Sequence, residues 1–144
     1  MRLTAPPSVP SWNELAEGMS ASVEFAVTAD EMRRFADLSG DYNPLHLDTS
    51  FARAKGFDGV VVYGGLLIAK VSQLIGMKLP GRDAVWIGLS LQFSKPLYVG
   101  QPAQLEGTIA NLSEATRIVG LRIVLRSAGQ VLATGKAEVL LVEQ

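Results

Sequence analysis

The chain has no cysteine and a single histidine in 144 residues. Disulfides, thiol nucleophiles and thiolate-bound metals are thereby excluded, and a structural zinc site loses its usual ligands. The absence of thiols is compatible with a reducing cytoplasm, which is the expected location. Charge of either sign is scarce: 13 Lys and Arg stand against 14 Asp and Glu, for a formal net charge of -1. No basic run forms a patch or tail, so binding of nucleic acid by bulk electrostatics is not expected. No apolar run reaches the ~18 residues of a membrane span, and the N-terminal MRLTAPPSVPSW lacks the apolar core of a signal peptide. What remains is a chain that is 48% apolar, enough for one ordinary domain over 1–144 with one substantial core.

Residues 1–11 are rich in Pro and Ser and read as an extended arm. Residues 20–28 alternate, with Val23, Phe25 and Val27 on one face, and predict a strand. Thr28 and Glu31 have the spacing of a capping box, so a helix should start near Thr28, bury Met32, Phe35, Ala36 and Leu38, and stop at Ser39-Gly40. A short helix is expected over residues 50–55, closed by Gly56. From Gly64 to Gly76 the chain is apolar nearly all round, through Leu66, Leu67, Ala69, Val71, Leu74 and Ile75, as in a helix enclosed by a fold. After the Pro80-Gly81 turn come four segments rich in branched and aromatic residues, at 84–93, 103–112, 116–127 and 130–142. Short connections between the later ones suggest an antiparallel meander. The order implies an α+β fold, with one sheet wrapped around a helix.

The lone imidazole lies in Ser39-Gly-Asp-Tyr-Asn-Pro-Leu-His-Leu-Asp48, with Asp41 five residues before His46 and Asp48 two after. Pro44 disfavours helix at Asn43 and offers no backbone donor, so the stretch reads as a stiff loop. Imidazole gives and takes protons near neutral pH, and a neighbouring carboxylate can act as a base or orient the ring. Together on one water they suit hydration or dehydration beside a carbonyl. The enolate oxygen of such a reaction needs a donor, and the backbone N–H at the start of the helix that Gly64-Gly65 opens would supply one. Each residue also has a plainer reading. Asp41 and Asn43 can cap turns, Asp48 can cap the short helix, and Gly64-Gly65 can be a tight junction.

The block as a whole resembles the MaoC-like dehydratases, a family that includes the (R)-specific enoyl-CoA hydratases. Ser39, Gly40, Asp41, Asn43, Pro44, His46 and Asp48 match the family's S-G-D-x-N-P-x-H-x-D signature. The segments 60–66 and 93–100 look like its helix-opening glycine and its F-x-x-P turn, and the similarity spans about residues 20–142. The resemblance implies a hot dog fold that pairs as a homodimer, with active sites at the interface. It implies Asp41 and His46 as the catalytic dyad on one water and the N–H of Gly64 as the oxyanion hole. Asn43, Tyr63 and Gly65 would stand at the substrate, Asn43 by shaping the loop. Tyr63 replaces the family's usual His; position 63 would shape the pocket or order the loop, and so bear on substrate choice. Coenzyme A or an acyl carrier would enter only as part of the thioester, with no separate cofactor and no metal. Arg53, Lys55, Arg82 and Lys95 are candidate phosphate contacts. Two other classes compete: a hot dog thioesterase and a non-catalytic thioester-binding protein. Thioesterases of this fold typically carry a carboxylate on the central helix, and residues 65–76 contain none.

Overall fold

The computed structural model describes residues 5–143. Part of the expected arm, residues 1–4, lies outside that range. Residues 5–10 have no regular structure but are not free. Ser8 exchanges backbone hydrogen bonds with Met77 and Arg82, and Gly81 is the residue whose missing side chain lets Ser8 approach. Strand β1 (Ser20–Phe25) is shorter than its alternation predicted, because Thr28 leaves it to cap the first helix. That helix, α1 (Ala29–Ser39), begins with the expected capping box between Thr28 and Glu31 and ends at Gly40, whose φ of 78° suits glycine. Met32 and Ala36 are buried as expected, but Leu38 is 86% exposed. Leu38 falls off the stripe that Met32, Phe35 and Ala36 form at helical spacing.

The short helix α2 (Thr49–Ala54) is capped by the Asp48 carboxylate, which accepts from the N–H of Phe51. The long helix α3 (Gly64–Met77) follows. Four strands complete the fold: β2 (Ala84–Phe93), β3 (Ala103–Ser113), β4 (Ile118–Ser127) and β5 (Gln130–Leu141). With β1 they form one antiparallel sheet in the order β1-β3-β4-β5-β2. The predicted meander therefore covers only β3 to β5. Strand β2 pairs with β5 at one edge, and β1 pairs with β3 at the other.

Helix α3 packs on β1, β2 and β3, the wrapped arrangement expected of a hot dog fold. Leu66, Leu67, Val71, Leu74 and Ile75 form its buried stripe against Leu105, Ile109, Leu121, Ile123 and Val139. A leucine buried as fully as Leu74 contributes about 1.5–3 kcal/mol. A Cβ on Gly107 would lie 2.7 Å from the Leu74 side chain, so a bare backbone there lets the helix sit close to the sheet. The helix is not enclosed all round: Ala69, Ser72 and Gln73 are exposed, because five strands cover only one side of it.

Candidate active site

The residues from Ser39 to Asp48 are held largely by their own side chains. The Ser39 hydroxyl accepts from the N–H of Asp41 at 3.1 Å, Asp41 Oδ1 from that of Asn43 at 3.0 Å, and Asn43 Oδ1 from that of Leu45 at 2.9 Å. These are successive side-chain-to-backbone turns of the kind short polar residues form. The expected loop contains one 3₁₀ turn, Pro44–His46. Pro44 opens that turn, where a missing N–H is not needed. The second oxygen of Asp41 has no hydrogen-bond partner among the described residues.

His46 is half-buried, and its Nδ1 lies 2.6 Å from the carbonyl oxygen of Val61. A carbonyl only accepts, so Nδ1 carries the proton and Nε2 is left for exchange with a ligand. Val61 is itself fixed: its N–H donates to Leu45 O at 3.2 Å, and the N–H of Val62 donates to Leu97 O at 2.8 Å. The Tyr63 ring stacks on the imidazole at 4.0 Å between centroids, and its hydroxyl donates to the backbone carbonyl of Asp41 at 2.6 Å. Burial first, and then the Asp41 charge, raise the phenol pKa above its ordinary value. The hydroxyl therefore stays a donor throughout the neutral range.

A cleft of about 320 Å³ opens beside the imidazole, lined by His46, Phe57, Val61, Val62, Gly64, Leu67, Phe93, Ser94, Lys95, Pro96 and Leu97. It is mainly apolar, with the imidazole and the first residue of α3 on its wall. The N–H of Gly64 has no acceptor among the described residues, as expected for the first residue of a helix. The helix dipole adds partial positive charge there. The site thus combines a titratable ring, a backbone donor and an apolar slot.

His46 and Gly64 share the cleft, and Tyr63 links Asp41 to His46 from outside it. Of the three residues expected at the substrate, Asn43 shapes the loop, and Tyr63 and Gly65 do not line the cleft. Asn43 commits its side-chain oxygen to the loop. Tyr63 is 1% exposed and does not line the cleft. Gly65 faces Phe35, whose ring would lie 2.6 Å from an added Cβ, so close packing of α1 on α3 accounts for that glycine. Among the candidate phosphate contacts, Lys95 lines the cleft. Arg82 pairs with Asp83 at the far end of α3, Arg53 bonds Asp58 O, and Lys55 lies over Phe51. Sequence reasoning missed the part played by Val61, because a backbone carbonyl has no sequence signature. Phe93 was read only as the end of a strand and the start of a turn, yet its ring lies 3.5 Å from where a Gly64 Cβ would be. Among the described residues no three His, Asp or Glu side chains gather as a metal site requires, and no helix is long and apolar enough to cross a membrane.

Known proteins resemble this chain in sequence and in fold. A family model described as "MaoC like domain" matches residues 12–123. The (R)-specific enoyl-CoA hydratase of Aeromonas caviae is 38% identical over 91% of this chain and 98% of its own length. That of Rhodospirillum rubrum is 30% identical over 90% of each. The solved (R)-hydratase from A. caviae, described as involved in PHA biosynthesis, superposes with a TM-score of 0.85 at 36% identity, covering 89% of this chain and 98% of that one. The unliganded R-hydratase PhaJ1 from Pseudomonas aeruginosa gives 0.86 at 28% identity, covering 92% and 86%.

Proposed function

Since this chain belongs to the MaoC-like dehydratase family, we propose that it is a hydro-lyase of acyl thioesters: it adds water to a trans-2-enoyl thioester, forms the (R)-3-hydroxyacyl product, and runs the reverse dehydration. The observation that carries the reading is His46, with Nδ1 tied to Val61 and Nε2 free in the cleft that the N–H of Gly64 also lines. In the proposed step Asp41 and His46 hold one water on one face of the alkene. The water oxygen bonds to C3 as its proton passes to the dyad. The π electrons move toward C2 and the thioester carbonyl, whose growing negative charge the N–H of Gly64 stabilises. A proton returned from the dyad to C2 completes the addition of H and OH, both from the same side. The carrier, coenzyme A or an acyl carrier protein, is part of the substrate, and no further cofactor takes part.

Crotonyl-CoA tests the reading. The expected result is loss of enoyl absorbance without release of free thiol. In deuterium oxide the product should be (R)-3-hydroxybutyryl-CoA, with deuterium at C2 placed by syn addition. Thiol release would instead mark a thioesterase. An (S) product or anti addition would reject the shared-water mechanism.

We also propose that the working form is a homodimer. Strand β2 lies at the sheet edge, with Val85 and Ile87 about half exposed, and edge strands of this kind invite pairing. Phe93, at the end of the same strand, is 47% exposed where it walls the cleft, so a second copy seated along β2 would close the slot. Light scattering at micromolar concentration should give twice the chain mass. A monomer with full activity would reject both the dimer and a site at its interface.

A further inference from the structure

We propose that Tyr63 is a positioning residue that holds Asp41 and His46 in one arrangement and does not touch the substrate. The kinetic part of this inference rests on the hydratase reading, whereas the structural part does not. Four consecutive residues each hold or supply one part of the site. The carbonyl of Val61 fixes the imidazole tautomer, Val62 anchors the segment to Leu97, Tyr63 contacts both members of the dyad, and Gly64 presents its N–H.

The need for such a brace follows from the loop. Asp41, Tyr42, Asn43 and Pro44 are all exposed, and apart from the Tyr42 hydroxyl on Asp37 the side-chain bonds that shape them within the loop run between residues two apart. Such bonds set the local turn but do not fix its position relative to the body of the protein. At the His46 end the Val61 carbonyl provides that tie, together with the Val61 N–H on Leu45. At the Asp41 end two ties reach the body: the Tyr42 hydroxyl donates to Asp37 Oδ1 on α1 at 2.7 Å in an exposed contact, and the half-buried bond of the Tyr63 hydroxyl is the one made to Asp41 itself. The hydroxyl is 2.6 Å from its acceptor, and the ring is buried against Phe35 and His46, with centroids at 4.8 and 4.0 Å. A side chain with only two rotatable angles, packed on two rings, keeps its hydroxyl in place at little entropic cost. Val62 and Gly64 line the cleft and Tyr63 between them does not, so direct recognition of the acyl group is assigned to its neighbours.

The single histidine makes the test direct, because the chain gives one set of imidazole signals by NMR. Two variants separate the functions of the side chain: Tyr63→Phe keeps the ring and loses the hydroxyl, and Tyr63→Leu loses both. In Tyr63→Phe the imidazole carbon-bound protons should keep their ring-shifted positions, while the amide signals of Asp41 and Tyr42 move. In Tyr63→Leu the imidazole protons should also move downfield, toward an unstacked ring. On crotonyl-CoA, kcat should fall by about tenfold in Tyr63→Phe and ~10²-fold in Tyr63→Leu, the scale of loss when reacting groups are misplaced by an ångström. KM should stay within about twofold, since positioning acts on the reacting step rather than on binding. An imidazole unmoved in Tyr63→Leu, or Asp41 and Tyr42 amides unmoved in Tyr63→Phe, would overturn the brace. So would a raised KM at unchanged kcat, which would make Tyr63 a substrate contact. If Tyr63→Leu does not fold, the amide shifts and kcat of Tyr63→Phe decide alone. The expected NMR changes in a protein that hydrates no enoyl thioester would support the brace and reject the proposed reaction instead.

Discussion

Asp41→Asn or His46→Gln is expected to lower kcat for enoyl-CoA hydration by about 10²–10⁴-fold, the usual contribution of a positioned acid or base. Both replacements are near in size to the original side chain. Asparagine at 41 keeps an oxygen for the N–H of Asn43, so the first turn of the loop survives while the carboxylate is lost. Glutamine at 46 removes the ring that stacks on Tyr63 but leaves an amide able to donate toward Val61 O. Asp41 is exposed and His46 half-buried, so the packing lost is confined to the stack on Tyr63 and the fold should persist. KM should change little, because neither group is assigned to holding the bulk of the thioester. The double variant is the sharper experiment. If both groups act on one water, removing the second costs much less than removing the first, and the losses should fall well short of multiplying. Steady-state kinetics on the two single variants and the double variant measure this directly. Near-wild-type kcat in either single variant would return His46 to a structural role, and fully multiplying losses would separate the two residues into independent steps.

Gly64→Pro is expected to lower kcat by about 10²–10³-fold, the cost of losing one oxyanion-hole donor. The substitution removes the N–H and puts a ring methylene on the nitrogen in its place, beside the cleft, so KM is read with kcat to tell a lost donor from a blocked slot. Position 64 is the first residue of α3, where proline fits the helix and no intrahelical bond is lost. Proline restricts the preceding residue to extended backbone, and Tyr63 already has φ -54° and ψ 131°. Gly64→Ala is the control. It keeps the N–H, and its Cβ would sit 3.5 Å from the Phe93 ring, an ordinary contact. Alanine should therefore retain most of kcat, with any penalty appearing in KM as the cleft narrows. Equal activity of the proline and glycine enzymes, with unchanged circular dichroism, would show that the thioester oxygen is stabilised elsewhere.

Much of this molecule is legible from neighbours in the sequence, because the interactions involved span only a few residues. Thr28 and Glu31 cap α1, Gly40 ends it, and Asp48 caps α2, each through bonds reaching at most four positions. The strands after Pro80 show for the same reason: branched residues favour extended backbone wherever they fall, and β2 runs over the predicted residues. The order of signature residues from Ser39 to Asp48 was legible too, and with it the family. The rest depended on distant parts of the chain. Strand β2 crosses to pair with β5 because closing the sheet round α3 requires it, and no local signal records that partner. Leu38 on α1 and Ala69 on α3 are as apolar as residues that are buried, and only the single-sided cover of the sheet leaves them exposed. The partner of His46 is a backbone carbonyl, a group that every residue carries, so only the folded chain could select Val61. Tyr63, read from its position as shaping the pocket or ordering the loop, lies between Asp41 and the imidazole. A buried phenol must find an acceptor, and folding placed a backbone carbonyl 22 residues earlier in the chain within its reach.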